Sequence, residues 1–231
     1  MRGIIYTYIV PSKIRMAGFE EQIAEICECQ FVDRVIIINS DGKTYQPTDL
    51  RTGSILYEHR NKVMVVNTNR GTDFKNPAWN AGTFYAKPIC NYFILASEFI
   101  RFDANVINLV TEQLEDLSNL GVLGVSDDVI GEIEDINYVY TKEVDECNDK
   151  FGTLMFVPRK KYNHIVGVKH IYGDKFICRN MKDKGFKNYV LKSDTFRIKD
   201  NTPEPSLEER LQIALDNKSW EEMFKNKRLI I

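Results

Sequence analysis

The chain has 231 residues, 43% of them hydrophobic and 28% charged, which allows one large domain with a sizeable core. A net charge of −2 leaves no overall field to gather the molecule onto nucleic acid or an anionic membrane. No apolar run approaches the roughly 18 residues that a bilayer-spanning helix needs, and residues 1–10 are too short and too β-rich to read as a signal peptide, so a cytoplasmic location is expected.

From Gly3 to Val10 the residues are mainly β-branched and aromatic, the pattern of a buried strand ending at Pro11. Phe19, Ile23, Ala24, Ile26 and Cys27 then recur at helical spacing. Cys27 and Cys29 form a lone C-x-C with too few partners for a metal site. With Cys90, Cys147 and Cys178 they make an odd, scattered set that reads as free thiols rather than a disulfide framework. Residues 34–39 are a second buried strand, closed by the turn residues Ser40, Asp41 and Gly42. Residues 63–67 and 92–96 supply a third and a fourth. Val106, Val110, Leu114 and Leu117 mark an amphipathic helix after Asp103. Residues 122–125 are a short strand. This alternation favours a parallel sheet covered on both faces.

Residues 138–140 and 153–157 are further strands, expected in a mixed part of the sheet. A helix should follow Gly173 and Asp174 and stop at Gly185, a natural C′ residue, before a strand over 188–191. The tail starts at Pro203. Ser206 and Glu209 form a capping box ahead of Leu207, Leu211 and Leu215, which share one helical face; Ser219 and Glu222 form a second box. Two C-terminal helices are therefore expected, as an appendage of residues 201–231 on a domain of residues 1–200.

Charge is segregated. Residues 111–149 hold twelve acidic side chains and one basic; residues 158–199 hold twelve basic and three acidic. Either these are two solvated faces, or the basic half, with Arg159, Lys160 and Lys161, meets phosphates.

One stretch is more specific than periodicity. It runs Asn67-Thr68-Asn69-Arg70-Gly71, then Asn76-Pro77-Ala78-Trp79-Asn80-Ala81-Gly82, then Asn91 to Asp103 through Ser97-Glu98-Phe99. Two later blocks, Phe151 to Arg159 and Ile171 to Arg179, follow in order, and Lys184 to Leu191 completes the set. Over about residues 3–195 this resembles family 2 and related GT-A glycosyltransferases, in particular small glycosyltransferases of large tailed phages. The resemblance implies an α/β, GT-A-like fold: a mixed sheet with a parallel N-terminal half, flanked by helices, plus C-terminal helices.

The resemblance also implies a site. Asn39 or Asp41, after strand 2, would read the base or ribose of a UDP-sugar donor, with Asp41 alternatively an Asx turn. Arg70 would contact the diphosphate or the acceptor, or else is a solvated side chain. Asn80 and Gly82 would hold a helix start close to the donor. Ser97 and Glu98 fall where the family carries its DxD metal motif. Here the motif is reduced to one carboxylate: an Mn²⁺ or Mg²⁺ ion would rest on Glu98, or Glu98 is a plain strand-end carboxylate, and His164 or His170 would supply a third metal ligand or a diphosphate contact. Asp174 matches the acceptor-side general base of inverting members, or else caps its helix. Trp79 either stacks on a sugar or packs in the core.

The acceptor implied is a hydroxyl, with hydroxymethylcytosine in duplex DNA (or its glycosylated form) the sharpest candidate, and Arg159, Lys160 and Lys161 holding the duplex over Asp174 in a host cytoplasm. The alternatives are a glycan, lipid or protein acceptor, or an inactive GT-A-shaped binding protein.

Overall fold

The computed structural model describes residues 3–12, 18–39, 55–68, 74–125, 139–144, 153–193, 199–200 and 203–225. In chain order the elements are β1 (Tyr6–Ser12), α1 (Phe19–Glu28), β2 (Val32–Asn39), α2 (Ile55–Glu58), β3 (Val63–Asn67), α3 (Lys75–Thr83), β4 (Tyr92–Ala96), β5 (Ile100–Arg101) and α4 (Asn105–Leu114). Then come β6 (Leu120–Val125), β7 (Val139–Val144), β8 (Leu154–Pro158), α5 (Gly173–Asp183), β9 (Lys187–Ser193), β10 (Lys199–Asp200) and α6 (Leu207–Lys225).

Eight strands form one sheet in the order β3-β2-β1-β4-β8-β6-β9-β7. The β3-β2-β1-β4 half is parallel throughout. β8 runs antiparallel to both β4 and β6, β9 returns parallel to β6, and β7 closes the far edge antiparallel to β9. The expected mixed sheet with a parallel N-terminal half is what the chain forms.

Successive residues of a strand face opposite sides, and the core follows that alternation. Tyr6, Tyr8, Val10, Val35 and Ile37 pack with α1 and α4 residues such as Ile23, Ile26, Val106 and Val110. Ile9, Ile36 and Ile38 pack on the other side with Trp79 of α3 and with Ile177, Cys178 and Met181 of α5. Burial on both faces explains why the central strands read as unbroken apolar runs rather than as alternating ones.

The tail departs from expectation. Ser206 Oγ accepts the Glu209 amide at 3.3 Å, and Glu209 Oε2 accepts the Ser206 amide at 2.7 Å, so the first capping box forms. The second does not. Ser219 lies inside α6, because no glycine or proline separates the two predicted segments and the helix simply continues. Leu207, Leu211 and Leu215 share a face that points to solvent, at 76%, 61% and 58% exposure. The opposite face docks, through buried Asp216 and through Trp220 and Met223. A further correction concerns the cysteines: Cys27, Cys29 and Cys90 are free, but Cys178 is disulfide-bonded.

Candidate functional site

The sheet has two ends, and they differ. Ser12, Asn39 and Asn67 close β1, β2 and β3 in register. Ala96 closes β4 on the same edge and leads into Ser97 and Glu98. Carboxyl edges of parallel strands are where ligand sites form in such sheets, since the loops that leave them converge.

Asn39 is 3% exposed, and its amide donates to Asn67 Oδ1 at 2.8 Å. Its carbonyl accepts the Thr68 amide and hydroxyl, each at 3.1 Å. Asn39 is thus fixed by the neighbouring strand. Asp41 and Arg70 lie outside the described residues.

Ser97 is tied to the start of β8 through its amide and the Thr153 carbonyl at 2.9 Å, and its Oγ accepts the Phe99 amide at 3.3 Å. Glu98 is 6% exposed. Two residues that the sequence did not single out stiffen this corner. Arg101 donates to the carbonyls of Glu98 and Ile100, at 3.3 and 2.8 Å. Gln22 of α1 makes a two-way bond with the Phe102 backbone, at 2.8 and 2.9 Å.

α5 brings Asp174 to the same edge. After α5 the chain turns at Gly185 and starts β9 beside Leu120, at the amino end of β6. A Cβ on Gly121 would sit 2.8 Å from the Met181 Cβ, so the last turn of α5 lies over that amino end. The first turn must then lie at the carboxyl end, about 1.5 Å per residue away along the axis. α3 joins the two halves. Asn76 abuts Gly173, and Trp79, one turn on, donates its indole N–H to the Ala96 carbonyl at 3.0 Å.

Asp174 is 7% exposed, yet its carboxylate has no hydrogen-bond partner among the described residues. It does not cap its helix: the N-cap position is Tyr172, at φ 61°, and no side-chain cap bond forms there. Those oxygens are not sealed from solvent, and they stand in the positive first turn of α5.

Other expectations need correction. Asn80 and Gly82 lie in the body and last turn of α3, not at its start. Asn80 joins Tyr162 Oη at 2.7 Å and the Ile165 backbone at 2.8 and 2.9 Å; a Cβ on Gly82 would overlap Ile9 Cγ2. Both fasten helix to scaffold. Trp79 is fully buried, which decides for the core role.

A metal ion on Glu98 and His170 would find no third histidine, cysteine or carboxylate ligand among the described residues. None of them gather three or more histidine, cysteine or carboxylate side chains in a metal-binding group. The His170 ring packs edge-on to Phe74 at 5.7 Å, while its amide donates to Asp216. One carboxylate is a poor donor set for Mn²⁺ or Mg²⁺.

Arg159, Lys160 and Lys161 sit at the wrong edge to hold a duplex over Asp174. Pro158, just before them, pairs with Tyr92 at the start of β4, and the Arg159 amide donates to the Asn91 carbonyl at 2.9 Å. Lys161 Nζ donates to the Leu120 carbonyl at 2.6 Å, at the start of β6. At about 3.3 Å per residue, four steps of β4 put roughly 13 Å between this turn and Ala96. The three cations instead line a cleft of about 730 Å³ with Ile4, Ile89 and Tyr92, on the amino edge.

No protein-family model matches the chain, and no curated protein matches it in sequence. Solved structures do match in fold. S. aureus TarS (1–349) superposes with a TM-score of 0.55 at 11% identity, over 84% of this chain and 59% of that one. Mannosyltransferase PcManGT from Pyrobaculum calidifontis, solved with GDP-Man and Mn²⁺, gives 0.57 at 13%, over 90% and 60%. The inositol-1-phosphate CTP transferase from T. maritima gives 0.55 at 10%, over 95% and 97%. The chain therefore spans about three-fifths of the first two proteins and nearly all of the third. At these identities the likeness establishes a GT-A-like fold.

Proposed function

We propose that the chain is a nucleotide-sugar glycosyltransferase that binds its donor across the carboxyl edge at Asn39, Ser97 and Glu98 and uses Asp174 as the acceptor-side base. The observation that carries this reading is Asp174 itself, a largely buried carboxylate at the carboxyl edge whose oxygens reach solvent and bond no described residue. In the reaction, the acceptor hydroxyl oxygen attacks the anomeric carbon and the bond to the diphosphate oxygen breaks. The nucleoside diphosphate leaves with that electron pair, and the hydroxyl proton passes to an Asp174 oxygen. Attack opposite the leaving group inverts the anomeric centre.

The fold neighbours support two chemistries: mannosyl transfer from a GDP-sugar in one, and cytidylyl transfer in another. Sugar transfer is favoured because a hydroxyl acceptor needs a base, which Asp174 supplies. The Gly-rich basic N-terminal loop expected of a nucleotidyltransferase is also missing from residues 8–18, which carry only Lys13, Arg15 and Gly18. The acceptor is a hydroxyl-bearing molecule, with a glycan, lipid or protein favoured over duplex DNA, since the basic turn lies on the other edge.

A thermal-shift screen of UDP-, GDP-, ADP- and CDP-sugars, with and without Mn²⁺, tests the donor assignment. At least one should raise the midpoint, and Glu98→Ala should weaken that response. A set of flat responses, with CTP alone stabilising, would replace this reading by nucleotidyl transfer.

A further inference from the structure

α6 reaches across to the segment that leads into Asp174, and one buried side chain makes the join. Asp216 is 1% exposed. Its Oδ2 accepts the amides of Lys169, His170 and Ile171 at 3.1, 2.7 and 2.9 Å, and its Oδ1 accepts Lys169 again at 3.0 Å and Gln212 Nε2 at 2.7 Å. Three successive backbone N–H groups turned to one point form an anion-binding nest, and here a carboxylate from α6 fills it. Donors to an ionised acceptor make the stronger class of hydrogen bond.

The next residues are held from the same helix. Tyr172 takes the left-handed conformation at φ 61°, which a bulky side chain rarely adopts without support. Its hydroxyl donates to Asn217 Oδ1, and its ring stacks on Trp220 at 4.9 Å between centroids and 21° between planes. From the other side, Asn76 Nδ2 donates to the carbonyls of Ile171 and Val168, at 3.0 and 3.4 Å, and its amide donates to the Lys169 carbonyl at 3.0 Å. Residues 168–173 are thereby clamped between α3 and α6, and Asp174 follows at once.

We propose that Asp216 is a positioning residue for Asp174: its carboxylate fixes the backbone of residues 169–171 and so sets where the Asp174 oxygens stand. The proposal rests on the reading of Asp174 as the base. It makes the C-terminal helix part of the working site. Asparagine at 216 presents only one accepting oxygen and turns an N–H₂ group toward either the nest or Gln212. That substitution loosens the lead-in without changing side-chain volume.

The test is a double-mutant cycle on the full-length chain, following kcat and donor KM separately for the wild type, Asp216→Asn, Asp174→Asn and the pair. Asp216→Asn should lower kcat by about ten- to a hundredfold, the cost of a small displacement of a reacting group, with donor KM within about twofold of wild type. In the Asp174→Asn background the same change should lower kcat by less than about threefold, because the group it positions is already gone. Equal losses in both backgrounds, or a change confined to KM, overturn the positioning role while leaving the base intact. An unchanged kcat in Asp174→Asn alone instead refutes the base itself. If Asp216→Asn does not fold, as judged by circular dichroism, Trp220→Leu, which removes the ring under Tyr172, enters the cycle in its place with the same expected pattern.

Discussion

Gly173 lies against Asn76 so closely that a Cβ there would overlap Asn76 Oδ1, a buried oxygen with no hydrogen-bond partner among the described residues. A hydrogen is all the position admits. Gly173→Ala should cost about 1–3 kcal/mol by overpacking, read as a lower urea midpoint. In an Asn76→Ala background, which opens the space, the added cost should fall well below that figure. Equal costs in the two backgrounds would show that the neighbour, not the contact, had been misjudged.

Trp79 spends its indole N–H on the Ala96 carbonyl inside the core. Trp79→Phe leaves that carbonyl unpaired and should lower stability by about 1–3 kcal/mol. Donor KM should stay put. A large rise in KM with little loss of stability would restore the ring to the donor site.

The basic turn offers a test of geometry. Replacing Arg159, Lys160 and Lys161 by alanine should leave kcat and donor KM unchanged within about twofold, since that turn sits on the amino edge. A tenfold loss with a free hydroxyl acceptor would mean that the substrate reaches round the sheet.

Burial raises the Cys27 thiol from an ordinary 9.0 to about 12, and it also pushes the Tyr6 and Tyr8 phenols well above their ordinary 10.0. Groups whose folded pKa lies above the unfolded one contribute stability that is complete below the unfolded value and lost as pH rises through the folded one. Thermal midpoints should therefore hold up to about pH 8.5 and fall progressively between about pH 9 and 12. A flat profile to pH 11 would contradict the burial of these groups.

The strands that build the sheet were legible because unbroken β-branched runs, such as residues 34–39, belong to strands buried on both faces. The tail was not. Leu207, Leu211 and Leu215 made a convincing apolar face, but the docking face is organised by Asp216, a polar residue in no motif whose partners are backbone amides 45–47 positions away. Asp174 could be picked out, and so could the strand ends at Asn39 and Ser97. Which edge of the sheet the Arg159 turn would occupy depended on β8 running antiparallel to β4, a relation that no local pattern reports. Gly173 looked like an ordinary helix-start residue and Asn76 carried no role of its own, and only their contact shows why neither is free to change.

The central claim is that Asp174 is the acceptor-side base, and steady-state turnover of Asp174→Asn tests it most directly, with whichever nucleoside-diphosphate sugar the screen identifies. With Asp174 as the base, kcat should fall by about two to four orders of magnitude while the donor dissociation constant stays within about twofold and the thermal midpoint does not drop. Turnover at the wild-type rate, or a loss fully explained by unfolding, would contradict it.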